Sequence, residues 1–476
     1  MTAEPPDAGV TTDKAVTKPP TLAIDATGLL FWPPGEGLAG IPRVESFLVN
    51  AALADPDPCV EVVAFRSVEG FRPLAPYEQD HVTTGEISPH RINRWPGRRK
   101  ALSQAFEAVR QRPWDKRETD RHLARTVTNG RKGIAYHATR LLIRAYRLHQ
   151  RASIRLGLRR DIAHQPAETE PGLVLISHHI LTQDDRAAVS GGAEPLAFLC
   201  HDLIPTLRPD LLGAGTGEGR FGSYLEHLVR SGAPAFCASD EVGATLTDHM
   251  RKAGIDPPVV YRFPMPSILH ATASRMGATS RIEVAEPFVL YCSTIEVRKN
   301  HILLARIWQQ ALDEGVKLPR LVCAGRWGWM IEPLRAYLKA HPGLLRSVTF
   351  TGLVSDEQLI QYYRSASFGV FPSHIEGWGY GASECLDFGI PVIVSTTPSL
   401  IEASGGLMPA IDSNDQAGWY AAIRRMADDT AWRSSLVERI AQQHRPTPAA
   451  ASWAAIKAGL QESVAGQRSQ HRARRP

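Results

Sequence analysis

The chain has no run of 18 apolar residues, so the sequence gives no reason to expect a membrane-spanning helix. It has no C-x-x-C pair. The six cysteines, Cys59, Cys200, Cys237, Cys292, Cys323 and Cys385, are scattered, several of them inside apolar runs. That spacing argues against a zinc ribbon or a redox dithiol and for buried, reduced thiols in a cytosolic setting. Residues 1–20 have no apolar stretch and are rich in Thr, Pro, Asp and Lys, which reads as a disordered N-terminus and not a signal peptide. No acidic triad stands at a strand end, and His178–His179 has no third ligand at a suitable spacing, so no metal is expected. The glycine-rich stretch 213–219 follows a proline-bearing loop rather than a strand, which argues against a phosphate loop and for a mobile loop.

What is present suits a soluble chain with at least two domains: 476 residues, of which 43% are hydrophobic. Apolar strand-like runs alternate with helical patterns. Residues 21–30 read as a first strand, 35–42 as a glycine-bearing loop and 43–54 as a helix, with further strands near 60–65, 173–176, 196–200, 235–238 and 259–261. This alternation predicts a parallel sheet covered on both faces over residues 21–264. A polar stretch with Pro, Ser, Thr and Gly, 265–287, reads as a linker. The alternation resumes over 288–448, a helix is expected over 449–463, and 464–476 reads as a basic tail.

Charge is uneven. Between Arg91 and Arg160 stand 20 Lys/Arg against 4 Asp/Glu, while the whole chain is only +5, so the remainder is net acidic. This basic, mostly helical insert does not fit the alternation. It reads either as a solvated charged face or as a contact for an anionic membrane surface. No recognition motif or stacking platform surrounds it, so nucleic acid is not an expected partner.

The chemistry concentrates in the second half. Glu376 and Glu384 stand eight residues apart across the glycine-rich stretch Glu376-Gly-Trp-Gly-Tyr-Gly-Ala-Ser-Glu384. An apolar strand precedes it, and a helix and a second strand follow. A helix N-terminus after a glycine loop is an anion site. Upstream, Thr294-Ile-Glu-Val-Arg-Lys-Asn-His301 follows the strand 288–292 and sets Arg298 and Lys299 at a sheet edge, where open α/β sheets bind ligands. Two cations and a helix N-terminus suit a diphosphate. His201 follows the strand 196–200, and Gly40 lies in the first loop, where a backbone could approach a ligand closely.

These stretches, with Val348-Thr-Phe-Thr-Gly-Leu-Val-Ser-Asp-Glu357, resemble the family 4 retaining glycosyltransferases. Ile24-Asp-Ala-Thr-Gly28, Ala39-Gly-Ile-Pro-Arg-Val44 and His201-Asp-Leu-Ile-Pro205 match more loosely. The resemblance implies an α/β GT-B fold: two Rossmann-like domains facing a central cleft. It implies a retaining transfer of a sugar from a nucleotide-sugar substrate, with no cofactor and no metal. Glu376 would lie beside the transferred sugar, with His201 facing it, and Glu384 would accept the ribose hydroxyls. Arg298 and Lys299 would clamp the diphosphate. The backbone of Gly377, Trp378, Gly379 and Tyr380 would meet the sugar and distal phosphate, and Leu353, Val354, Gly325 and Arg326 would lie by the base. Family members often carry Phe and Leu where this chain has Trp378 and Tyr380, a departure that bears on sugar choice. The resemblance favours a mannose- or rhamnose-type donor, GDP-mannose first, and a polysaccharide or lipid-linked glycan acceptor. The expected location is cytoplasmic, with the basic insert 91–160 offering peripheral attachment at the inner face of a membrane. Two other readings stay open: a sugar-nucleotide epimerase or hydrolase on the same fold, and an inactive membrane-associated binding module.

Overall fold

The computed structural model describes residues 21–30, 40–66, 70–74, 78–79, 82–83, 141, 172–177, 195–212, 220–276 and 286–473. Segment 1–20, all of the basic insert except Leu141, His178–His179 and the stretch 213–219 lie outside the described residues.

Two sheets organise the chain. The first contains β1 (Leu22–Asp25), β2 (Val60–Arg66), β3 (Gly70–Pro73), β4 (Leu173–Ile176), β5 (Leu196–Cys200), β6 (Ala235–Cys237) and β7 (Val260–Arg262), in the order β3-β2-β1-β4-β5-β6-β7. All its pairings are parallel except β2 with β3. The second contains β8 (Phe288–Cys292), β9 (Arg320–Ala324), β10 (Val348–Gly352), β11 (Phe368–Phe371), β12 (Val392–Ser395) and β13 (Ala410–Ile411), in the order β10-β9-β8-β11-β12-β13, parallel throughout. Strands such as β11 and β12 bury every residue. They can do so because helices cover both faces, which is why they read in sequence as unbroken apolar runs. In the second sheet the order reverses between β8 and β11, the switch-point crevice at which open α/β sheets bind ligands; here the loops after these two strands meet across it, His374 N donating to the Arg298 carbonyl at 2.9 Å.

Two sequence expectations change. The stretch 265–287 is not wholly linker: Ile268–Met276 is a helix whose Leu269 and Ala273, four residues apart, enter the core of the second unit. It packs against the helices Asp356–Ser365 and Tyr380–Asp387. The terminal helix does not stop at 463. It runs from Ala449 to Ala473, through most of the segment expected to be a tail, because no proline interrupts 464–475.

This last helix returns to the first unit, where it packs on β1, β4, β7 and the helix Ile41–Leu53. Ile456 and Leu460 are fully buried there, Trp453 Nε1 donates to Asp55 Oδ2 at 2.6 Å, and Lys457 pairs with Asp55 at 2.9 Å and Asp57 at 3.0 Å. Gly459 permits the close approach: a Cβ there would lie 2.8 Å from Phe236 Cε1 and 2.9 Å from Tyr261 Cδ1. Gly459→Val should therefore destabilise the fold by about 2–3 kcal/mol through overpacking. Gly466→Ala, with open space at its Cβ, should stabilise by about 0.5–1 kcal/mol. Urea midpoints check both; a Gly459→Val midpoint equal to wild type would mean the helix does not dock here.

Candidate active site

The crevice between β8 and β11 is built from the backbone outward. After β8 the chain makes a short 3-10 turn, Val297–Lys299, and enters the helix His301–Asp313 through Asn300 at φ 57°. Asn300 is held in this left-handed conformation by Nδ2, which donates to the carbonyls of Pro372 at 3.3 Å and Ser413 at 2.8 Å. The turn is fixed from below by the Tyr291 hydroxyl, which donates to the Lys299 carbonyl at 2.6 Å. Arg298 and Lys299 are thus both aimed at Glu376, in the loop after β11. Arg298 Nη1 lies 2.8 Å from Glu376 Oε2 and also donates to the Ile375 carbonyl at 2.9 Å, and Lys299 Nζ pairs with Glu376 Oε1. Glu296 completes the group, 2.7 Å from Arg298 Nη2.

All four groups are largely withdrawn from solvent. Burial alone would raise the Glu376 pKa, but Lys299 and Arg298 more than offset it and hold the carboxyl at about 2. Burial, and then Arg298, lower the Lys299 pKa against the pull of Glu376. The expectation of two cations turned toward a diphosphate is therefore modified. Arg298 and Lys299 do meet at the crevice, but two carboxylates already balance them. Glu296, missed in the sequence reading, lies two residues before Arg298 in the same motif.

Beyond Glu376 the loop turns sharply into the helix Tyr380–Asp387. Gly379 caps that helix at φ 103°, a conformation few side chains tolerate. Glu384, in the second turn, is buried; its Oε2 accepts from the Tyr363 hydroxyl at 2.7 Å and its Oε1 lies 3.1 Å from Arg43 Nη1. Burial pushes the Glu384 carboxyl above its ordinary value, with Arg43 and Tyr363 pulling the other way. Arg43 comes from the helix Ile41–Leu53 of the first unit and also reaches Asp356 at 2.7 Å, so it bridges the two units. The sequence reading missed this residue, although it lies inside the stretch 39–44 singled out for Gly40.

The other expected residues fall as follows. His201 is buried after β5, and its carbonyl abuts Gly377 so closely that a Cβ on that glycine would come within 2.2 Å. The Ser239 hydroxyl donates to the Gly377 carbonyl at 2.9 Å, a second tie between the units. Arg262 and the Asp240 backbone add a third, both to Glu402. The side chains of Trp378 and Tyr380 pack against the core of the first unit; Trp378 Nε1 is 3.3 Å from Ser383 Oγ and the Arg262 guanidinium lies 5.5 Å over its ring. Gly40 caps the helix Ile41–Leu53 at φ 59°, with open space where a Cβ would be. Gly325 and Arg326 follow β9, and Leu353 and Val354 follow the edge strand β10, at the carboxyl edge of the sheet on the far side of β8 from β11. The structure therefore gathers Glu376, Arg298, Lys299, Gly377 and His201 at one point, with Glu384 a short way along the helix, and sets Gly325, Arg326, Leu353 and Val354 to one side. Among the described residues no group of three or more His, Cys, Asp or Glu could hold a metal ion, and no helix is long and apolar enough to cross a membrane.

This geometry has relatives. A family model described as glycosyl transferases group 1 matches residues 286–429, which span both β8 and β11. A D-inositol 3-phosphate glycosyltransferase of Mycolicibacterium vanbaalenii is 31% identical over 333 residues, covering 66% of this chain and 71% of that protein. The serotype-specific mannosyltransferase WbdA of Escherichia coli is 25% identical over 260 residues, covering 52% of this chain but only 30% of that protein's length. Among solved structures, the sucrose-phosphate synthase of Thermosynechococcus elongatus superposes with a TM-score of 0.54 at 17% identity, covering 93% of this chain and 98% of that one. The chain belongs to the group 1 glycosyltransferases, and its fold is GT-B.

The Arg43 bridge generates a test. Arg43→Ala leaves the buried Glu384 without its cation and should cost about 3–5 kcal/mol. Adding Glu384→Gln removes the stranded charge, so the double variant should be more stable than Arg43→Ala alone. Denaturant titration of the four proteins measures the coupling; strictly additive losses would contradict the bridge.

Proposed function

We propose that this chain is a retaining glycosyltransferase that moves a mannose-type sugar from a nucleoside diphosphate donor, GDP-mannose in first place, to a growing polysaccharide or lipid-linked glycan. One observation carries the reading: a buried, ionised Glu376 stands at the crevice between β8 and β11, beside Arg298, Lys299 and the N-terminus of the helix Tyr380–Asp387. Mannosyltransferases among the relatives favour the sugar.

In this reading the diphosphate lies across Lys299 and the helix N-terminus, whose amides point at it. Glu384 releases Arg43 and takes the ribose hydroxyls as an acceptor-only group. The bond from the anomeric carbon to the phosphate oxygen breaks, a bond from that carbon to the acceptor oxygen forms on the same face, and the acceptor proton leaves with the diphosphate. Glu376, fixed by two cations, keeps its charge throughout and stabilises positive charge developing at the anomeric centre. Lys299 and Arg298 share themselves between Glu376 and the departing phosphate, so the reading uses side chains and amides and no metal. His201 and Gly377 close the cleft over the sugar. The basic stretch 91–160 is proposed, on its sequence alone, to bring the enzyme to an anionic membrane surface at the cytoplasmic face.

Glu376→Gln should fold and bind the nucleoside diphosphate at least as tightly as wild type, since two cations lose a competing carboxylate, while sugar transfer falls by about 1,000-fold or more. Turnover near wild type would remove the assignment. Lys299→Ala should weaken nucleoside diphosphate binding by about tenfold in calorimetry; an unchanged affinity would exclude the clamp. If donor is consumed and free sugar appears with no acceptor product, hydrolysis replaces transfer as the activity.

A further inference from the structure

A cavity of about 340 Å³ opens between the two units beside Glu376, within the range of about 300–1,000 Å³ usual for small-molecule sites. Its first wall is the chain after β5, beginning at Asp202, and the first turns of the helix Asp240–Lys252, with Glu241 and Thr245. Its second wall is the ends of β11, β12 and β13, with His374, Thr397, Asp412 and Ser413. We propose that this cavity is the acceptor subsite and that it takes a neutral, hydroxyl-rich sugar ring rather than a phosphorylated or carboxylated one. The proposal rests on the donor reading above.

In the second sheet, β10, β9 and β8 lie on one side of the reversal and β11, β12 and β13 on the other. Arg298 and Lys299 after β8, Arg326 after β9 and Leu353 after β10 belong to the donor side. The cavity lies against the opposite half, with Glu376 on the boundary. A molecule there touches the same carboxylate as the donor sugar but does not compete with the nucleotide.

Asp202, Glu241, Glu376 and Asp412 line the cavity, and among the described residues no Lys or Arg does. Glu376 is paired with Arg298 and Lys299, and Arg298 also acts on Asp202, which leaves Glu241 and Asp412 without a paired cation among the described residues. Among the described residues, the carboxylates of Asp202, Asp412 and Glu241 each accept one bond: from Ile204 N at 3.0 Å, Asn414 N at 2.7 Å and Thr245 Oγ1 at 3.3 Å. A carboxylate has about four acceptor positions, so each can take further O–H donors. His374 is bound to Ser413 Oγ through Nδ1 at 2.9 Å, and burial followed by the nearby Arg208 lowers its pKa, keeping the ring neutral. Leu203, Ile204 and Pro398 supply the apolar surface that a pyranose presents on its C–H face. Acceptor-only groups match sugar hydroxyls, whereas an ionised phosphate brings more acceptors and like charge. A phosphorylated polyol, such as the mycolicibacterial relative's name specifies, does not suit these walls.

The test uses the full chain with saturated GDP or UDP and compares methyl α-D-mannopyranoside with D-mannose 6-phosphate by saturation-transfer NMR titration. The neutral glycoside should bind at least about tenfold more tightly than the phosphate. Glu241→Gln and Asp412→Asn should each narrow that ratio, and Thr245→Lys should bring the phosphate in. Preference of the wild type for the phosphate, a ratio untouched by all three variants, or no binding of either sugar up to about 20 mM would overturn the proposal. Nucleoside diphosphate binding is measured in the same samples. Its presence alongside a failed sugar ratio defeats only the subsite, while its absence defeats the donor reading.

Discussion

The structure turns on one buried carboxylate held between two cations. Glu376 lies at the reversal of the second sheet, where the loops after β8 and β11 meet. An ionised group in that position is tenable only because Arg298 and Lys299 reach it from the neighbouring loop. The pairing has structural consequences on both sides. It requires Asn300 to turn left-handed so that both cations face one way. It also fixes the start of the glycine loop, whose next residue, Gly377, meets the His201 carbonyl of the opposing unit. The same balance leaves the Lys299 ammonium desolvated and oriented, so under the proposed donor reading a diphosphate would exchange for part of its contact with Glu376.

The second theme is that the two units are tied through the residues expected to bind the donor. Arg43 reaches Glu384 and Asp356, Ser239 reaches the Gly377 carbonyl, and Arg262 reaches Glu402. Trp378 and Tyr380 place their side chains against the first unit's core and not in the crevice. Glu384 has Arg43 as its partner across the cleft; if Glu384 takes a ribose as proposed, binding and contact between the units draw on the same carboxylate and are linked by that shared partner.

Much of the second sheet was legible in the sequence because its strands are buried on both faces and read as unbroken apolar runs. The glycine loop was legible because two carboxylates bracket it. The helix Ile268–Met276 was missed because it offers the core only Leu269 and Ala273, a stripe too thin to stand out in a polar stretch. The extension of the last helix through 473 was missed because a run of Gln, Arg and His looks like a tail, and a helix end shows in sequence only where a breaker stands. The counter-charges were the least visible part. Lys299 and Arg298 announce themselves as cations, but their partner Glu296 looked like a spacer. Arg43 lies more than 300 residues from the carboxylates it meets, a contact that only the folded chain reveals.

The most direct test of this account is a crystal structure of the full chain with a bound nucleoside diphosphate. The account predicts the distal phosphate within hydrogen-bond reach of Lys299 Nζ and the amides at the start of the helix Tyr380–Asp387, the ribose hydroxyls on Glu384, and Arg43 released from Glu384. A nucleotide bound elsewhere, with the Arg43–Glu384 pair intact and Lys299 contacting only Glu376, would contradict it.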